Sequence, residues 1–146
     1  LSLAGERIGY LVIHPEAEDA VLVAGAAAVV NTMLCVNAPS LAQLSVAQLQ
    51  GVAVDASIYR RRRDMLCQGL AEAGYQFNVP EGAFYLFPKS PIGDDVEFVN
   101  RLKNELILAA PGVAFGAPGY FRLSYAVTDA TITGSLDGFR RALQKA

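Results

Sequence analysis

The pattern of apolar and polar positions changes at about residue 51. Before it apolar residues come in unbroken runs; after it they alternate or recur at helical spacing. Residues 8–13, Ile-Gly-Tyr-Leu-Val-Ile, lie between Glu6-Arg7 and His14-Pro15. An apolar run of this length without alternation predicts a strand covered on both faces, as in the middle of an α/β sheet. Glu16 to Asp19 supply acidic residues for a helix start, and the helix is expected to continue from Ala20 to Val36. It is apolar all round and rich in Ala and Gly, which suits a helix wedged between subunits or domains. Its length falls short of the ~20 residues a bilayer span needs, Asn31 and Thr32 interrupt its second half, and basic flanks and aromatic anchors are missing. Asn37-Ala38-Pro39 breaks this helix. Ser40 is expected to cap the next, with Leu41, Leu44, Val46 and Leu49 on its apolar side, and Gly51 ends it.

Beyond Gly51 the periods are shorter and the boundary signals clearer. A helix is predicted from the cap Asp55 to the stop Gly74, with Ile58, Met65, Leu66 and Leu70 inward and Arg60 to Arg63 outward. Those four arginines read as a solvated helix face, with a phosphate site as the alternative. Tyr75 to Val79 alternates, Pro80-Glu81-Gly82 is a turn and Ala83 to Phe87 is again strand-like, which together predict a hairpin. Asp94-Asp95 opens a helix carrying Val96, Phe98, Val99 and Leu102 and ending near Glu105. Leu106 to Ala110 is a brief strand candidate and Pro111-Gly112 a turn. A Gly/Pro loop then feeds a strand containing Tyr120, Phe121, Leu123, Tyr125 and Val127. Thr128 or Asp129 caps a last helix with Ile132, Leu136, Phe139 and Leu143 at helical spacing. This order predicts helices layered on a small, mostly antiparallel sheet, an α+β arrangement. One strand and two helices cannot make a core of their own, so residues 1–51 read as part of an α/β domain and residues 52–146 as a second domain.

Composition adds to this picture. The chain is 53% hydrophobic and 18% charged, with a mean hydropathy of +0.31, more apolar than a typical soluble monomer. Such an excess implies a membrane segment, a large oligomer interface or a piece of something bigger. The chain begins at Leu1 with neither methionine nor a basic region ahead of an apolar core, which also reads as a fragment and not as a secretory leader. A net charge of −2 offers no basic field for nucleic acid or an anionic membrane. Cys35 and Cys67 show no CxxC or Cys/His ligand spacing and are expected to be buried free thiols in a reducing cytoplasm. The lone His14, before Pro15, is expected in a turn or at the surface.

Arg122 is the residue the pattern least explains. It interrupts an apolar strand, and an arginine flanked by aromatics either snorkels to water or presents its planar fork of donors to a carboxylate or phosphate. Two phrases, taken together, bear on that choice. Gly5-Glu6-Arg7-Ile8-Gly9-Tyr10 resembles the Gly-x-Arg-x-Gly phrase of the class I aminotransferases, pyridoxal-phosphate enzymes of the aspartate-aminotransferase-like fold. Pro111-Gly112-Val113-Ala114-Phe115-Gly116 followed by Tyr120-Phe121-Arg122-Leu123-Ser124-Tyr125-Ala126 resembles the carboxylate-binding phrase of the same family. Asn37-Ala38-Pro39-Ser40, Tyr59-Arg60-Arg61-Arg62-Arg63-Asp64 and Pro80-Glu81-Gly82-Ala83-Phe84-Tyr85 fall between them in the family order.

The resemblance implies an enzyme moving an amino group between an amino acid and a 2-oxo acid, cytoplasmic and homodimeric, without nucleic-acid or membrane partners. It implies that Arg7 binds the phosphate of pyridoxal 5'-phosphate and Arg122 the substrate carboxylate, with Phe115 either closing the site or serving as a core aromatic. The lysine that carries the cofactor in that family falls upstream of Leu1, and Lys89, Lys103 and Lys145 match no family motif. The chain thus resembles the tail of the large cofactor domain, residues 1–51, followed by the whole small domain, residues 52–146. By itself it is expected to be inactive. The same fold carries lyases and decarboxylases. Without the resemblance, the chain reads as a free-standing α+β interaction or oligomerisation module.

Overall fold

A computed structural model describes residues 4–34 and 36–145. Cys35, expected as a buried thiol, lies outside the described residues. The chain divides into two compact units, Leu1–Val54 and Asp55–Ala146.

In Leu1–Val54 a 3-10 turn at Ala4–Glu6 is followed by helices α1 (Ala20–Leu34) and α2 (Ser40–Gln48). Neither helix buries a single residue. The run 8–13, expected as a buried strand, is not one. Its Tyr10, Leu11 and Val12 are exposed, and among the described residues no other segment pairs with it. A strand is held by a neighbour's N–H and C=O groups, and here the apolar run has none. Ser40 also departs from expectation: Pro39, at φ −56 and ψ 126, stands at the cap position and makes no side-chain cap bond, so Ser40 is the first helical residue. His14 is at the surface in a turn, where its Nδ1 accepts the Glu16 N–H at 3.2 Å. Among the described residues no helix is long and apolar enough to cross a membrane.

Asp55–Ala146 contains α3 (Ala56–Ala73), β1 (Tyr85–Leu86), α4 (Asp95–Asn104), β2 (Ala110–Pro111), β3 (Phe121–Ser124) and α5 (Asp129–Gln144). Helix ends follow local chemistry. Asp55, Asp94 and Thr128 accept the N–H of Ser57, Glu97 and Thr131 at the three N-termini, which satisfies donors the helix itself cannot reach. Gly74 closes α3 at φ 101, in the left-handed region, where a Cβ would be strained. The sheet order is β1-β3-β2, all antiparallel.

The expected hairpin between 75–79 and 83–87 does not form. Residues 84–90 instead give their backbone groups to the segment 119–125, through the Phe121 N–H to Pro88, the Ser90 N–H to Gly119 and the Tyr125 N–H to Phe84, at 2.8–3.1 Å. The nearest bond to the expected pairing, from the Lys89 N–H to the Gln76 carbonyl at 2.8 Å, lies beyond the second segment. β3 therefore takes the central place.

The core lies between the sheet and its helices and includes Leu66, Leu70, Phe98, Leu102, Phe121, Leu123 and Phe139. Tyr75 packs edge-on against Phe121 and Phe139, and its hydroxyl donates to the Phe139 carbonyl at 3.0 Å. Of the residues expected inward on α3, Leu66 and Leu70 are buried and Ile58 and Met65 partly so. Cys67 is a buried free thiol, and desolvation pushes its ionisation upward.

Candidate active site

On β3 the burial alternates, with Phe121 and Leu123 buried, Arg122 half-buried and Ser124 exposed. The pleat sends alternate side chains to opposite faces, so Arg122 leaves the core on the face it shares with Ser124. Tyr85 on β1 is the register partner of Ser124, which makes it a diagonal neighbour of Arg122. The guanidinium carbon of Arg122 stands 4.2 Å from the Tyr85 ring centroid and 3.9 Å from that of Phe115. Both rings are partly exposed, and Phe115 is backed edge-on by Phe87 at 6.0 Å. Among the ion pairs of the described residues none includes Arg122. Aromatic quadrupoles stabilise the cation here and limit its rotation, while its N–H donors still project in the plane of the fork. Such an arrangement accepts a carboxylate in two parallel hydrogen bonds.

The backbone that delivers Phe115 is a short 3-10 turn at Gly112–Phe115, ended by Gly116 at φ 72. The Gly112 N–H donates to the Tyr120 carbonyl at 2.8 Å and the Ala117 N–H to the Gly112 carbonyl at 3.0 Å. A Cβ on Gly112 would overlap both the Ala117 and the Tyr120 carbonyl oxygens, so the close return of this loop requires glycine there.

On the other side the loop before Tyr85 is held by the core. Arg63 Nη1 donates to the Pro80 carbonyl at 3.1 Å and the Tyr125 hydroxyl to the Gly82 carbonyl at 2.6 Å. The arginine run is thus more than a solvated face. Arg61 and Arg62 both pair with Asp129 at 2.8 and 2.9 Å, and Arg62 and Arg63 are largely covered.

Arg7 lies in the other compact unit. It follows the Ala4–Glu6 turn with φ 52 and an exposed side chain. Of the three lysines, Lys145 pairs with Glu105 at 2.7 Å, while Lys89 and Lys103 are exposed. The structure brings Phe115 and Tyr85 to Arg122. Sequence reasoning had assigned Tyr85 no part in the site.

The sequence model of the family described as Aminotransferase class I and II matches residues 1–138. The aspartate aminotransferase of Thermotoga maritima is 38% identical over 141 residues, 93% of this chain and 35% of that protein. The aspartate/prephenate aminotransferase of Thermus thermophilus is 42% identical over 90 residues, 60% of this chain and 23% of that protein. The chain therefore spans about a third or less of the length of these curated relatives. Among solved structures, an amino transferase from Eubacterium rectale superposes with a TM-score of 0.81 at 37% identity, covering 99% of this chain and 37% of that one. The aspartate aminotransferase of Thermus thermophilus with maleate gives a TM-score of 0.58 at 37% identity, covering 60% and 23% of the two chains.

Proposed function

The chain belongs to the class I and II aminotransferase family, and from this we propose that it is the carboxyl-terminal part of a pyridoxal-phosphate enzyme that moves an amino group between an amino acid and a 2-oxo acid. In this reading residues 1–51 complete a large cofactor domain and residues 52–146 form the small domain. The observation that carries it is Arg122, a half-buried guanidinium seated over two aromatic rings with no carboxylate partner among the described ion pairs.

Arg122 would take the α-carboxylate of the amino acid bidentately and fix its Cα. Tyr85 and Phe115 keep water from the guanidinium and so strengthen that ion pair. The donor set also fits a phosphate. Arg7 offers a permanently charged planar fork, exposed at a turn, and it would hold the cofactor phosphate. Pyridoxal phosphate, when bound, supplies the electron sink for bond-making and bond-breaking at Cα.

Aspartate is the donor to test first, because relatives acting on it match this chain, and a dicarboxylate is bound in one of the superposed structures. The exposed apolar face of α1 supports a homodimer, and the free buried Cys67 suits the reducing cytoplasm.

The test is amino transfer by the full-length protein, loaded with pyridoxal phosphate, from L-aspartate to a 2-oxo acid. Transfer supports the reading; no transfer from aspartate or any other amino acid of a full panel would overturn it. Arg7→Ala should shed cofactor faster than wild type on dialysis, with the KM for amino acid moving less. Equal retention would remove the phosphate role.

A further inference from the structure

Asp95 is a charged side chain placed where charges are seldom found. It occupies the first turn of α4 and is only 6% exposed, yet it is not the helix cap, because Asp94 already accepts the Glu97 N–H at 2.9 Å. Its two oxygens reach across the fold instead. Oδ2 accepts the Val113 N–H at 2.9 Å and Oδ1 the Gly119 N–H at 3.2 Å. These donors stand on either side of Phe115, Gly116, Ala117 and Pro118.

The loop is closed on itself by its own backbone bonds and joined to Ser90 through the Gly119 carbonyl, but among the described hydrogen bonds those that tie it to α4 are the two made by the Asp95 carboxylate. Gly116 and Gly119 are left-handed at φ 72 and φ 81, and a Cβ at either would point into open space. The position of the loop relative to α4 thus depends on the carboxylate. A charge-assisted bond to backbone N–H is stronger than a neutral one, and loss of its acceptor would leave a half-buried donor unpaired.

We infer that Asp95 is a positioning residue for the Arg122 site: by tying Val113 and Gly119 to one side chain it closes the 112–119 loop and seats the Phe115 ring over the guanidinium. The inference rests on the reading of Arg122 as the substrate-carboxylate clamp. The described hydrogen bonds of the Asp95 carboxylate go to the loop backbone and not to Arg122. Asp95 acts through Phe115, and through Tyr120 at the entry to β3. A shift of the ring by an ångström would leave the guanidinium free to turn out of the plane the carboxylate requires, and misplacement on that scale is enough to cost tenfold or more in substrate use.

The experiment uses the full-length, cofactor-loaded protein with L-aspartate as probe. Asp95→Asn keeps the shape but replaces one acceptor oxygen with a donor group. It should raise the KM for L-aspartate about tenfold while kcat changes by less than about threefold, and it should speed hydrogen exchange at the Val113 or Gly119 amide. Phe115→Leu should raise KM similarly without the change in exchange. The double variant should be no worse than about the larger single effect, since both act on one guanidinium. Arg122→Ala separates the two readings. If it leaves KM unchanged, the carboxylate role of Arg122 fails. If it raises KM while Asp95→Asn does not, or if the Asp95 and Phe115 effects multiply, the positioning role of Asp95 fails alone.

Discussion

Asp95, Glu105 and Asp129 have carboxyls held below the ordinary range, each by a different device. For Asp129 the foremost cause is the Arg62 hydrogen bond, for Glu105 the Lys145 ammonium followed by Arg141, and for Asp95 the Val113 N–H. Their ordinary values are 3.8 for the aspartates and 4.5 for the glutamate. A folded-state value below the unfolded one stabilises the fold at all pH above the ordinary range, and that stability is lost as pH falls through the folded value. The melting temperature should therefore hold between pH 7 and about 5 and drop below about 4. Asp129→Asn should melt lower than wild type at pH 7 and lose less on acidification, as thermal melts across pH would record. A variant whose melts run parallel to wild type at every pH would show that the ion pairs with Arg61 and Arg62 contribute nothing. At this scale the sequence marks Arg122 as an arginine interrupting an apolar strand, with snorkelling and anion binding both open; only the family resemblance favours the second. Asp95 was legible only as a helix-opening acid. Nothing in its neighbours in sequence announces Val113 and Gly119, which the fold brings to it.

Helices were legible and strands much less so. The N-termini of α3, α4 and α5 are decided by the capping side chains Asp55, Asp94 and Thr128 and the C-terminus of α3 by the left-handed Gly74, and such chemistry is visible in any window of the chain. Ser40 misleads because Pro39, with its own φ already set, takes the cap position and leaves Ser40 inside the helix. Strand pairing is settled by competition between distant segments. Residues 83–87 had an adjacent candidate partner in 75–79, but 119–125 offers Phe121, Leu123 and Tyr125 to the core and takes the backbone bonds. That outcome also placed Tyr85 beside Arg122, so the missed pairing and the missed site residue are one event. The helix that sets this layer is α3, whose Leu70 is fully buried in the core against which the sheet packs. Leu70→Ala should cost about 2–5 kcal/mol by chemical denaturation. A loss under about 1 kcal/mol would mean that the surrounding side chains collapse into the space.

Across the molecule the apolar excess divides unevenly. Every fully buried apolar side chain among the described residues lies between Leu66 and Ala142, whereas α1 exposes Val21, Leu22, Val29, Val30, Met33 and Leu34. Apolar surface on that scale ordinarily marks a contact, and a large domain and a second subunit would supply one. The absence of alternation in 8–13 predicts a strand covered on both faces, whereas Tyr10, Leu11 and Val12 are exposed and no described segment pairs with the run. The proposed activity depends on the small unit presenting one cation to one anion. It is tested most directly by titrating the full-length, cofactor-loaded protein with L-aspartate and comparing wild type with Arg122→Ala. Loss of a buried bidentate pair should weaken amino-acid binding by roughly 2–5 kcal/mol while cofactor retention is unchanged. Equal affinity of the two proteins for the amino acid would contradict the assignment of Arg122.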